Sequence, residues 1–158
     1  MPLDSRTFRD ALGCFATGVT IITTLDPKGR PVGVTANSFN AVSLEPPLVL
    51  FSLGRRAHSL RAFLSSHDFA VNVLAADQEA LSELFAKPSA DKWAGLDYES
   101  WESGCPILPG AAASFDCRIR YTHDGGDHVI FVGEVTAMAY DAERRPLLFH
   151  QGRYKELP

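Results

Sequence analysis

A mainly β (α+β) fold, an antiparallel barrel flanked by a few short helices, is what this 158-residue sequence predicts. Three observations carry that expectation. Strand-like segments follow one another through turns rather than long helices, which favours antiparallel pairing over repeated βαβ units. Residues 115 to 121 alternate apolar and polar without a break, the pattern of a half-buried strand. A chain of 158 residues, 46% hydrophobic and 22% charged, suffices for one domain, residues 1–158, with its own core. Closure into a small barrel would remove bare sheet edges.

The elements follow in order. Asp4 or Ser5 caps an opening helix in which Phe8, Leu12 and Phe15 share one face at i, i+4 and i+7. Cys14, inside that helical pattern, reads as a buried inert thiol, and Gly18 as the stop. Val19 to Thr24 is β-branched almost throughout, which suits a strand. Asp26-Pro27-Lys28-Gly29 turns the chain, Val32 to Ala36 returns, and Asn37 to Val42 continues that strand after a break in the alternation. Pro46-Pro47 leads into the apolar run Leu48 to Ser52, a central strand. Ser59 to Leu64 makes one or two helical turns, and Phe69 to Leu74 another strand. Asp77 is the expected N-cap of a helix through Phe85 with Leu81, Leu84 and Phe85 inward.

Residues 87 to 113 show no strong period, and a loop of that length in a compact domain is functional or covers a site. Phe115, Cys117, Ile119 and Tyr121 then face one side of a strand, with Asp116, Arg118, Arg120 and Thr122 on the other. Gly125-Gly126-Asp127 turns into a long strand from His128 to Ala139, and Pro146 to His150 supplies a short last one. The total is about seven strands and three short helices.

Composition excludes several classes. A net charge of −4, from 15 basic and 19 acidic residues, argues against a nucleic-acid binder. Apolar runs such as Pro46 to Leu53 are too short to cross a bilayer, and Met1 to Arg9 lacks the apolar core of a secretory signal. Three cysteines, Cys14, Cys105 and Cys117, without a CxxC do not make a disulfide framework or zinc ribbon; the expected address is a reducing cytoplasm. The five histidines have no metal-ligand spacing, so no metal is expected. No GxGxxG follows a strand, and no Walker motif or GxSxG elbow is present.

Three segments carry candidate chemistry, each beside a plainer reading. Gly33-Val34-Thr35-Ala36-Asn37-Ser38-Phe39 places small and polar residues after an apolar strand, where a flat ligand could approach the backbone; a β-bulge with a polar edge is the alternative. In Ser52-Leu53-Gly54-Arg55-Arg56-Ala57-His58-Ser59 two arginines and a serine precede a helix start, which suits phosphate; the alternative is a solvated basic turn. Gly126-Asp127-His128 puts a histidine at a hairpin, able to position a substrate or move a proton, or merely at the surface. Phe85-Ala86-Lys87 and Trp93 would flank a ring and meet an anion, or close a helix end on the core.

Taken together these stretches, with Phe8 to Thr20, Pro46 to Leu50, Phe69 to Leu74 and Pro146 to Phe149, resemble the short-chain flavin reductase family, in that family's order over nearly the whole chain. The resemblance implies an antiparallel Greek-key split barrel of the FMN-binding type. It implies a homodimeric enzyme that uses NADH or NADPH to reduce FMN or FAD and supplies the reduced flavin to a partner monooxygenase. By the same likeness Thr35, Ala36, Asn37 and Ser38, with Ser52, Leu53 and Gly54, would line the flavin. Ser59, with Arg55 and Arg56 nearby, would take its phosphate; Phe85, Ala86, Lys87 and Trp93 would lie beside the cofactor. His128 would serve the nicotinamide. Lys92-Trp93 departs from the Lys-Phe pair of many relatives. A flavoprotein oxidase on the same barrel and a flavin-carrier module without turnover are the competing readings.

Overall fold

The computed structural model describes residues 3–88 and 91–158. A seven-stranded antiparallel sheet dominates it. Its members are β2 (Thr20–Leu25), β3 (Pro31–Ala36), β4 (Asn40–Leu44), β5 (Pro47–Gly54), β6 (Asp68–Val73), β9 (Ala113–Gly125) and β10 (His128–Tyr140). The spatial order is β3-β2-β6-β9-β10-β5-β4, so the two edges of the sheet are β3 and β4, neighbours in sequence. A three-stranded sheet joins β1 (Thr17–Gly18), β11 (Leu147–His150) and β12 (Arg153–Glu156), and β7 (Glu99–Ser100) pairs with β8 (Pro106–Ile107). Three helices flank them: α1 (Ser5–Gly13), α2 (Leu60–Ser65) and α3 (Glu79–Ala86). Among the described residues no helix is long and apolar enough to cross a membrane.

The sheet curls around a phenylalanine core. Phe51 stacks on Phe131 at 5.0 Å between centroids and meets Phe69 and Phe63 edge-on at 4.9 and 5.5 Å. All four are fully buried. Edge-to-face and offset pairs satisfy the ring quadrupoles while removing large apolar areas from water. Curling brings the edge strand β3 near β5 without a ladder between them, so the barrel is split there rather than closed.

Four expectations change. Asn37 to Val42 does not prolong β3: the chain crosses the split and begins β4, paired with β5 at Asn40↔Leu50. Asp77 caps nothing; Ala76–Gln78 is a 3₁₀ turn in which Gln78 Oε1 accepts the Ala75 N–H. Cys14 is exposed, because α1 ends at Gly13 and buries none of its residues. Asp116, on the nominally polar face of β9, is buried: the Ser103 hydroxyl and N–H both donate to its carboxylate at 2.5 and 3.3 Å. The stretch 87 to 113, of which Ser89 and Ala90 lie outside the described residues, is what covers it. Its Pro106 carbonyl accepts from Thr23 Oγ1, and its Leu108 N–H donates to buried Asn72. That stretch is a cover over the sheet.

Candidate functional site

A cavity of about 980 Å³ runs beside β3 between the β2–β3 turn, α2 and the end of α3. One wall is strand, from Pro31 to Val34; the opposite wall carries Arg56, His58, Ser59 and Arg61. Phe85, Ala86, Lys87, Lys92 and Trp93 close the third side. Gly33 makes this wall possible. A Cβ there would stand 2.7 Å from Phe85 Cε1 and 3.0 Å from Trp93 Cζ2, so the absent side chain is the space those rings occupy. Phe85 itself is fully buried and meets Trp93 edge-on at 4.9 Å.

The cavity's charge is out of step with the chain. It gathers five of the 15 lysines and arginines (Arg30, Arg56, Arg61, Lys87, Lys92) against one of the 19 carboxylates, Asp26. Asp26 is engaged by Arg30 at 2.8 Å. The hydrogen bond from the Arg30 N–H, ahead of its other partners, holds the Asp26 carboxyl below the usual value. Lys92 donates to the Phe85 carbonyl at 3.0 Å, and partial burial lowers its pKa from the ordinary lysine value. Among the described residues no carboxylate lies within ion-pair distance of Arg56, Arg61 or Lys87. Ser59, the N-cap of α2, makes no side-chain capping bond.

A second group sits at the split. Ser38 Oγ donates to the Ser52 carbonyl at 2.9 Å and accepts the Ser52 N–H at 3.0 Å, stapling the end of β3 to β5. Thr35 turns its hydroxyl away, donating to the Ser82 carbonyl of α3 at 2.6 Å, so only its backbone is left for a ligand. Ala36 precedes the crossing, Leu53 is buried in the core, and Asn37 faces a separate hollow of about 540 Å³ with Arg9, Thr17 and Phe149.

The third group is the β9–β10 hairpin. His128 pairs with Gly54 across the ladder, and its Nε2 lies 3.9 Å from where a Gly54 Cβ would be. Its Nδ1 is 2.7 Å from Asp127 Oδ1. That hydrogen bond is the main cause of the lowered Asp127 pKa. An ionised carboxylate only accepts, so in this contact Nδ1 is the donor, and Nε2 is left on the side of the ring near Gly54. Arg55 belongs to this group rather than to the cavity: its Nε donates to the Gly126 carbonyl and its guanidinium pairs with Asp124 at 2.6 Å.

The structure therefore divides the residues singled out in the sequence. Arg56, Ser59, Phe85, Ala86, Lys87 and Trp93 share the cavity; Ser38, Ser52, Gly54 and His128 mark the split and the hairpin beside it. Sequence reasoning did not single out Arg30, His58, Arg61 and Lys92 as site residues, though all four line the cavity. Arg61 had a signal, standing two residues beyond Ser59 in the same basic stretch. For Arg30 nothing local marks it, since the β2–β3 hairpin alone brings it there.

Against known proteins, the model of the Flavin reductase like domain family matches residues 12–158. The chain is 47% identical over 152 residues to the reductase subunit HsaB of a flavin-dependent monooxygenase from Rhodococcus jostii (strain RHA1), covering 96% of this chain and 77% of that protein. It is 45% identical over 151 residues to an FMN reductase (NADH), SmoA, from Agrobacterium fabrum (strain C58 / ATCC 33970), covering 96% and 85%. A solved NADH:FAD oxidoreductase of Streptomyces globisporus C-1027, in complex with NAD and FAD fragments, superposes with a TM-score of 0.93 at 40% identity, covering 98% and 93%. Some relatives are longer: the chain spans 43% of a probable flavin reductase from Rhizobium meliloti (strain 1021).

Proposed function

Because this chain belongs to the flavin reductase-like domain family, we propose that it is an NAD(P)H-dependent oxidoreductase that reduces FMN or FAD and passes the reduced flavin to a partner flavin-dependent monooxygenase. The observation that carries the reading is the convergence of Arg56, Ser59, Lys87 and Trp93 on one cavity beside an edge strand. The donor set fits a flavin. Unpaired cations and a free serine hydroxyl suit its phosphate. Backbone N–H groups without ladder partners on the outer side of β3 suit the polar edge of its ring. When bound, the flavin supplies the redox chemistry, taking hydride at N5 from nicotinamide C4.

What remains for the protein is placement. Arg56, Ser59 and Lys87 hold the phosphate end, while Thr35 to Ser38 and Ser52 to Gly54 present backbone to the ring. Gly54 and the Ser38–Ser52 staple keep those two segments close together. His128, with Nε2 free, positions the nicotinamide and supplies no essential acid–base step. Phe85 and Trp93 wall the cavity against water.

The reading includes a homodimer. Phe8, Leu12 and Phe15 on or just beyond α1 are 52%, 57% and 78% exposed, and Leu44, Met138 and Tyr140 are also exposed. Uncovered apolar faces of this kind support self-association. Light scattering at micromolar concentration tests it, a monomer mass counting against it.

The deciding experiment follows NADH absorbance with and without added FMN or FAD, in air and anaerobically. NADH oxidation that depends on added flavin is expected. Flavin binding without NAD(P)H consumption would favour a carrier, and peroxide from a non-nicotinamide amine or alcohol an oxidase; either would overturn the proposal.

A further inference from the structure

Tyr154, on the C-terminal strand β12, lines neither the basic cavity nor the hollow at Asn37, yet it reaches the helix that forms the cavity's third side. That helix, α3, buries two of its residues, Ser82 and Phe85, which lie three apart and so share one face. Phe85 is apolar and fills the space left by Gly33. Ser82 is a fully buried hydroxyl, a placement that costs stability unless a partner is supplied. Tyr154 supplies it, the two hydroxyl oxygens lying 2.8 Å apart. The half-buried Tyr154 ring is in turn braced by Phe149, its ladder partner on β11, which meets it edge-on at 5.4 Å. The backbone carbonyl of the same Ser82 accepts the Thr35 hydroxyl at 2.6 Å. Thr35 and Gly33 stand two apart on β3 and share a face of the strand. Helix α3 therefore meets the edge strand at two successive points, a hydrogen bond at Ser82 and a ring contact at Phe85.

Apolar packing is non-directional and leaves a helix free to shift by fractions of an ångström, whereas a hydrogen bond between two hydroxyls fixes one position. A shift at Ser82 is carried along the helix to its end, where Phe85, Ala86 and Lys87 line the cavity. Resting on the flavin-reductase reading, we propose that Tyr154 is a positioning residue. Through Ser82 it fixes the register of α3 on β3, and so sets Lys87 at the phosphate end of the cavity. It acts through the helix and not on the ligand.

Fluorescence titration of FMN and riboflavin, with a thermal melt of each protein, tests this on the intact chain, on Tyr154→Phe, on Ser82→Ala and on the double variant. Each single variant should bind FMN about fivefold more weakly, with riboflavin affinity within about twofold, because riboflavin lacks the phosphate that Lys87 meets. Each should also melt roughly 2–12 °C lower, one hydroxyl of the pair having lost its partner. In the double variant both hydroxyls are gone, so Tm should recover most of that loss. FMN affinity, by contrast, should stay as low as in either single variant, since all three break the same bond. Unchanged FMN affinity in the single variants overturns the inference and leaves Tyr154 a stabilising residue only. An equal loss for FMN and riboflavin also overturns it, as does FMN affinity that recovers with Tm in the double variant. Each of these outcomes leaves the flavin reading standing, since the wild type still binds. A wild type that binds neither flavin overturns both.

Discussion

Replacing Gly33 with alanine adds one methyl group at the tightest point of the cavity wall. Carbon atoms rest at about 3.5 Å or more from one another. The new Cβ would lie 2.7 and 2.9 Å from two atoms of the Phe85 ring and 3.0 Å from Trp93 Cζ2, an overlap of about 0.8 Å at its worst. Phe85 cannot swing clear, being fully buried and braced by Trp93. Overpacking of that kind destabilises by about 1–3 kcal/mol. For a chain of this size each kcal/mol lowers Tm by roughly 2–4 °C, so a fall of about 2–12 °C is expected. Relief of the clash pushes Phe85 or Trp93 into the cavity, so flavin affinity should fall several-fold as well. Differential scanning calorimetry and a flavin titration measure the two effects. Gly18→Ala is the control, since nothing lies within 4 Å of a Cβ there. If Gly33→Ala melts within a degree of the wild type and binds flavin as well, the packing argument for this wall is wrong.

Other outcomes follow from the same geometry. Ser38→Ala strips both the Ser52 N–H and its carbonyl of their partner across the split, so urea unfolding should show a loss of about 1–3 kcal/mol. An unchanged midpoint would mean that the staple is dispensable. His128→Ala should raise the KM for the nicotinamide by roughly 2- to 12-fold, the worth of one hydrogen bond, with flavin affinity unchanged; unaltered steady-state kinetics would remove His128 from the site. Cys105 and Cys117 are 1% exposed, and burial pushes the Cys105 thiol up to about 11 and that of Cys117 higher still. Below pH 9 a thiol reagent should therefore modify Cys14 alone in the folded chain and all three cysteines after denaturation. Rapid modification of three thiols in the folded state would contradict the core.

Local pattern revealed strands well and their partners poorly. The alternation of β9 and the β-branched run of β2 were legible because each side chain's environment is set by the period of its own strand. Which strand a segment pairs with is set by topology, and so Asn37 to Val42 reads as more of β3 when it has crossed to the far edge of the sheet. Asp116 shows the same limit from another side. Its alternation is that of a solvent-facing residue, yet Ser103, from a stretch without periodicity, buries it and satisfies it. Cys14 erred in the opposite direction: amphipathic spacing implies a covered face, but among the described residues α1 buries none of its own. At the site, residue types that bind anions were visible at Arg56, Ser59 and Lys87, whereas Arg55 and Arg56 are indistinguishable in sequence. Only the hairpin carbonyl of Gly126 and the carboxylate of Asp124 pull the first aside.

The misreading of Asn37 to Val42 marks the place where the barrel stays open. A closed barrel would pair the outer backbone groups of β3 with β4, and the sheet would then have no edges to protect. Here β3 and β4, adjacent in sequence, end on opposite edges, joined by a crossing that the Ser38 hydroxyl ties to β5 and Phe39 anchors on Phe115. An unpaired edge invites association with other strands, and this one has a proline at its start and, lining the cavity beside it, arginines and lysines from neighbouring elements. The same cations make it receptive to a ligand that brings its own acceptors and negative charge. The break in alternation at Asn37 and Ser38, which reads as a blemish in a strand, is the point where the chain leaves β3 and crosses to the other edge of the sheet.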